Sequence, residues 1–126
     1  MFIQNKNGVV MGVANKKSIA WGCAKALKDQ GANVIYTYQN ERMKKQVVKL
    51  ADENDLLVEC DVASDASIQA AFETIKNEVG TIDGLVHAIA FAKKEELSGN
   101  VSDITRDGFL LAQDISSYSL LAVTHY

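Results

Sequence analysis

The chain has 126 residues, of which 48% are apolar and 23% charged, with a net charge of −3. This length bounds it to one domain with enough apolar content for a core, and lysines dispersed among acids argue against a nucleic-acid surface. The first residues lack the basic-then-apolar design of a signal peptide, and no apolar run approaches the roughly 20 residues that span a bilayer, so a cytoplasmic protein with no membrane segment is expected.

Residues 8–11, with Ile3 leading in, read as a buried first strand. The stretch that follows, MGVANKKSIAWG over residues 11–22, must turn sharply from that strand into a helix. Gly12 stands at the strand end, where a missing side chain lets another molecule approach the backbone. Ser18 is a good N-cap, and the amides of Ile19 and Ala20 behind it lack intrahelical partners. Free amides and the positive end of the helix dipole together suit a phosphate or pyrophosphate. The helix buries a stripe of Ala20, Cys23, Ala24 and Leu27, and Gly31 stops it.

Asn33–Tyr38 (NVIYTY) is rich in β-branched and aromatic residues and reads as the second strand. Asn40 caps a helix with Met43, Val47, Leu50 and Ala51 inside and Arg42, Lys44, Lys45 and Lys49 in water. Residues 56–60 form a third strand ending at Asp61. Ser64 or Asp65 starts a helix whose stripe of Ile68, Ala71, Phe72, Ile75 and Val79 is the clearest 3.6-residue period in the chain, closed by Gly80. Residues 84–90 (GLVHAIA) form a fourth apolar strand, residues 93–103 a polar loop, and a long helix runs from near Thr105 to the end. Its stripe is Phe109, Ala112, Ser116, Ser119, Leu120 and Val123. Cys23 and Cys60 lie on separate elements without CxxC spacing, so they are expected to be buried reduced thiols, with no metal site.

Strands alternating with helices of about a dozen residues imply parallel βαβ units. Right-handed crossovers then give an α/β, Rossmann-like doubly wound sheet with strands ordered 3-2-1-4. The last helix has no C-cap, and the fourth strand would leave an apolar edge where a fifth should pair. Residues 1–126 are therefore expected to be the N-terminal part of a single dinucleotide-binding domain, cut within the helix after strand four. In such sheets ligands lie at the carboxyl ends of the strands, which selects Gly12, Gln39, Asp61 and Ile89.

The usual GxGxxG is absent, since five residues separate Gly12 from Ser18. However, GVANKKSIAWG, TYQNER (residues 37–42), CDVASDASI (60–68), HAIAFA (87–92) and RDGFLLAQDISSYS (106–119) together resemble the bacterial enoyl-[acyl-carrier-protein] reductases. These form a divergent branch of the short-chain dehydrogenase/reductases and use NADH in fatty-acid synthesis. The resemblance implies that Gly12, Ser18 and Ile19 line the pyrophosphate and adjoining ribose, and that Gln39 stands near the adenosine ribose. It implies further that Asp61 and Val62 hold the adenine, that Ile89 lies along the cofactor, and that the backbone of Ala92 borders the acyl substrate. It also implies an enoyl-acyl carrier protein as substrate, and a homotetramer assembled through the helix from about Thr105.

An acid at the end of strand two would grip the ribose 2′-hydroxyl and an arginine would welcome a 2′-phosphate. Gln39 does neither decisively, but the TYQN form resembles the NADH-using members, so NADH is expected ahead of NADPH. No catalytic residue is assigned. The family's tyrosine and lysine are expected downstream, no tyrosine here has a lysine four residues on, and His87 reads as a core histidine. Two alternatives stand beside this reading. Another short-chain reductase would carry TGxxxGIG and NNAG where this chain has GVANKKSIA and HAIAFA, and a half-length protein could bind nucleotide or pair with a subunit without catalysis.

Overall fold

Val9 and Val10, both fully buried, sit at the centre of the first strand, β1 (Asn7–Met11), in a computed structural model that describes residues 2–126. The other strands are β2 (Asn33–Tyr38), β3 (Leu56–Glu59) and β4 (Gly84–His87), and the sheet order is β3-β2-β1-β4. Every pairing is parallel, with Val9 opposite Ile35 on one side and Leu85 on the other. This is the expected topology. Because side chains alternate along a strand, Val9, Met11, Ile35 and Val58 face one helical layer while Val10, Val34 and Tyr36 face the other.

Helices α1 (Ile19–Asp29) and α2 (Glu41–Val48) cover the second face, with Ala20, Ala24 and Val47 buried against the sheet. Helix α3 (Asp65–Val79) covers the first with Ile68, Ala71, Phe72 and Ile75, the stripe read from the sequence. Cys23 is only half-buried on α1, against expectation, whereas Cys60 is buried; both thiols are free. The ends of these helices follow local chemistry. Asn40 caps α2 by accepting from the Met43 amide at 3.1 Å, and Ser64 caps α3 by accepting from the Ser67 amide at 3.2 Å. Gly31, at φ +84°, closes α1 with paired returns, Gly31 N–H to Lys28 O and Ala32 N–H to Leu27 O. Asn7 ties the far end of the sheet together: its amide donates to Asp83, and its side chain binds Thr81 O and accepts from Asn33.

Further features differ from the sequence reading. Helix α2 ends at Val48, so Leu50 and Ala51 of its expected inner face lie beyond it. Residues 2–5 form a turn, so Ile3 does not lead into β1. Strand β4 ends at His87 instead of residue 90, because β1 turns away at Gly12 (φ +111°) and the last link between them is Ala88 N–H to Met11 O at 3.0 Å. The long terminal helix is composite: α4 (Arg106–Gln113) widens into a π turn (Asp114–Tyr118) and continues as α5 (Ser119–His125). Its buried residues are Gly108, Ser119, Ala122 and Val123, so Phe109 and Leu120 of the expected stripe point outward. With FLLA and LLAV apolar around most of the helix, periodicity could not choose the face. The polar loop before α4 holds two 3₁₀ turns, Lys94–Leu97 and Val101–Asp103.

Candidate functional site

A cleft of about 290 Å³ opens where β1 and β4 part, at the carboxyl ends of the strands. Of the residues selected from the sequence, Gly12, Gln39, Asp61, Val62 and Ile89 line it together. Ser18, Ile19 and Ala92 are not among its lining residues, although Ala92 follows Phe91, which is. Gly12 is required there for a reason the sequence did not reveal. A Cβ at this position would lie 2.1 Å from the carbonyl oxygen of Ala88, so it is the chain's own β4 connection that approaches the glycine.

The turn before α1 is tighter than a simple cap. Ser18 occupies the N-cap position, but its hydroxyl makes no cap bond to the helix. It accepts instead from the amides of Ala14 and Asn15, both at 3.0 Å, and folds residues 14–18 into a closed turn. Ser18 thus shapes the loop, a correction to its reading as a side-chain cap. The consequence favours anion binding: among the described residues the amides of Ile19 and Ala20 have no acceptor, and the Ile19 side chain is 82% exposed.

On the opposite wall, one carboxylate oxygen of Asp61 accepts from the Ala63 amide at 3.0 Å, while the Asp61 amide donates to Ser67 Oγ at 2.8 Å. The turn is thereby fixed and the second carboxylate oxygen has no partner among the described residues, so it can take a hydrogen bond from a ligand. Beside it, burial and then the Asp61 charge push the Cys60 thiol up to about 11, which leaves it protonated and a poor nucleophile. The amine of Lys44 lies 5.6 Å from the ring centre of Tyr38, next to Gln39, and brings one positive charge to that end of the cleft.

Among the described residues that line the cleft, the titratable side chains are Tyr38, Cys60 and Asp61. His87 Nε2 lies 2.7 Å from Ser119 Oγ, and the Ser119 hydroxyl donates to Ile115 O at 2.6 Å. One hydroxyl proton cannot serve both, so His87 is the donor to Ser119; its Nε2 is satisfied, but the residue is half-buried at the end of β4 and not in the core, where the sequence reading put it. Among the described residues no group of acids, cysteines and histidines could hold a metal. The sequence reading missed the apolar liners Val13, Met43, Phe91 and Ile115. Val13 and Phe91 lie within a few residues of strand ends and could have been found by extending that rule, but Met43 and Ile115 arrive from helices and carry no local signal.

Parallel strands ordered 3-2-1-4, with a cleft where β1 and β4 part and unpaired amides at the start of α1, define a Rossmann-like doubly wound α/β protein. Within that class the comparisons are specific. A family model described as Enoyl-(Acyl carrier protein) reductase matches residues 12–126, and the chain belongs to that family. It is 98% identical over 126 residues to the Enterococcus faecalis protein named enoyl-[acyl-carrier-protein] reductase [NADH] FabI, a match that covers all of this chain and 50% of that one. Among solved structures, the Bacillus cereus enoyl-acyl carrier protein reductase with NADP+ and indole naphthyridinone superimposes with a TM-score of 0.92 at 50% identity, over 98% of this chain and 49% of that one. The Anaplasma phagocytophilum enoyl-(acyl-carrier-protein) reductase in complex with NAD gives a TM-score of 0.94 at 42% identity, over 99% and 48%. The chain spans about half the length of the curated relatives it matches.

Proposed function

We propose that residues 1–126 are the N-terminal, cofactor-binding part of a single-domain NADH-dependent enoyl-acyl carrier protein reductase that reduces trans-2-enoyl thioesters in bacterial fatty-acid synthesis. The observation that carries this reading is the convergence of Gly12, Gln39, Asp61, Val62 and Ile89, from four strand ends distant in sequence, on one cleft. Family membership adds the reaction class.

The residues present fit a dinucleotide. The free amides of Ile19 and Ala20 meet the diphosphate at the positive end of α1, with Gly12 and Ser18 shaping the turn beside it. The open carboxylate oxygen of Asp61 accepts from the exocyclic amine of adenine, Val62 packs on the ring, and Gln39 stands by the adenosine ribose. Ile89 lies along the cofactor toward its reactive end, and the Ala92 backbone borders the acyl substrate. When bound, NADH supplies hydride to the β-carbon of the enoyl thioester. The work of this chain is to bind and orient, and the proton donor and ribose-holding lysine belong to residues beyond it.

The outward face of the composite helix, from α4 through the π turn to α5, carries Phe109, Leu110, Tyr118, Leu120 and Leu121, each at least 44% exposed, which suits burial in a homotetramer. A cytoplasmic location accords with there being no helix among the described residues long and apolar enough to cross a membrane. The test is enoyl-thioester-dependent oxidation of NADH by the full-length protein. Turnover with NADH preferred is expected. Binding of NADH without turnover supports the non-catalytic alternative, and a lower KM for NADPH overturns the cofactor preference.

A further inference from the structure

We propose that Ser116 is a positioning residue for the reductase reaction: its hydroxyl holds the 89–92 wall of the cleft in the shape that seats the reactive end of the cofactor against the substrate. This rests on the reductase reading above.

Beyond the Ala88–Met11 link that wall has no strand partner among the described residues, because β1 has already turned away at Gly12. Among the described residues, the hydrogen bonds of residues 89–92 all run to one atom. The Phe91 amide donates to Ser116 Oγ at 2.9 Å, and the same hydroxyl donates to the Phe91 carbonyl at 3.1 Å. A single side chain thus satisfies both backbone groups of a cleft-lining residue, as a neighbouring strand would.

The π turn is what presents it. Ser116 sits at the middle of Asp114–Tyr118, where the Ser119 amide reaches back to Asp114 O instead of closing an α turn. Such turns are rare, occur mostly as single-turn bulges within α-helices, and are frequent at functional sites. This one is itself pinned to the end of β4 through Ser119 and His87, and its Ile115 is among the residues that line the same cleft. The wall is therefore referenced to the sheet through Ser116, while the adenosine end, held from β2 and β3, is not.

The experiment compares the full-length protein with its Ser116→Ala and Ser116→Thr variants by steady-state reduction of a crotonyl thioester and by NADH titration. Ser116→Ala is expected to lower kcat about tenfold and raise the thioester KM, with the NADH dissociation constant within about twofold of the parent. Ser116→Thr, which keeps the hydroxyl, is expected to recover most of the rate. An unchanged kcat in Ser116→Ala, loss of NADH affinity in proportion to rate, or failure of threonine to restore the rate each overturns the proposal. Should Ser116→Ala not fold, Ser116→Cys keeps the volume while weakening both bonds. It is expected to slow turnover several-fold, and an unchanged rate counts against the proposal equally. An inactive parent protein overturns the reductase reading itself, and this proposal with it, whereas an active parent with indifferent variants overturns this proposal alone.

Discussion

Replacing Gly12 with alanine tests the geometry of the cleft at its tightest point. The new Cβ would stand 2.1 Å from Ala88 O and 2.7 Å from the Ala88 carbonyl carbon, at a backbone φ of +111°. Both neighbours are backbone atoms, so no side chain can swing away. Strands β1 and β4 must separate by about 1 Å to restore van der Waals contact, at the position of their last hydrogen bond. Overpacking of this kind costs about 1–3 kcal/mol, and holding a non-glycine residue at such a φ adds about 1–3 kcal/mol. The sum, roughly 2–6 kcal/mol, is a large part of the 5–15 kcal/mol typical of a folded domain. Urea unfolding should report that loss, and NADH affinity should fall at least about tenfold because the same strand pair floors the cleft. Gly22→Ala is the control. It lies within α1 with nothing within 4 Å of its Cβ position, and should gain up to about 1 kcal/mol from helix propensity. A Gly12→Ala protein within about 0.5 kcal/mol of the parent, with unaltered NADH binding, would refute the reasoning.

Two further outcomes are expected. Asp61→Asn replaces the charged acceptor proposed for adenine and should weaken NADH binding about tenfold, in line with hydrogen bonds to charged groups; fluorescence titration with an unchanged dissociation constant would remove Asp61 from the site. Tyr36 is fully buried, its hydroxyl has no partner among the described residues, and burial, followed by the nearby Asp55 charge, pushes its pKa from 10.0 to about 12. The folded state holds this proton more tightly, so its contribution to stability is complete below pH 10 and is lost as pH rises toward 12. Tyr36→Phe should therefore match or exceed the parent by about 1 kcal/mol at neutral pH and decline less steeply over that alkaline window in urea unfolding. Lys28 titrates in the same direction in both proteins: burial works against its charge, but Asp52 and Asp55 raise its pKa above the usual value. An equally steep decline in the phenylalanine variant would contradict the assignment to Tyr36.

Much of the fold was legible because local chemistry and tertiary demand agree. The α3 stripe from Ile68 to Ile75, the caps at Asn40 and Ser64, and the stop at Gly31 are each set by neighbours in sequence. The parallel order followed from alternation of elements and handed crossovers. What escaped is nonlocal. The end of β4 is decided by a turn in β1, more than 70 residues earlier in the chain. The face of α4–α5 is decided by contact with the rest of the chain, since its sequence is apolar nearly all round. The site was legible at strand ends, where Gly12, Gln39, Asp61 and Ile89 do share a cleft. Met43 and Ile115 are apolar residues on helices, and nothing in their surroundings in sequence separates a cleft liner from a core residue. The direction of the Ser18 hydroxyl depended on the 14–18 turn closing upon it.

The most direct test of the account is a crystal structure of the full-length protein with NADH bound. The account places the diphosphate within hydrogen-bond distance of the Ile19 and Ala20 amides, with adenine between Val62 and the Asp61 carboxylate. A diphosphate bound away from the start of α1, or an adenine on another face of the sheet, would contradict it.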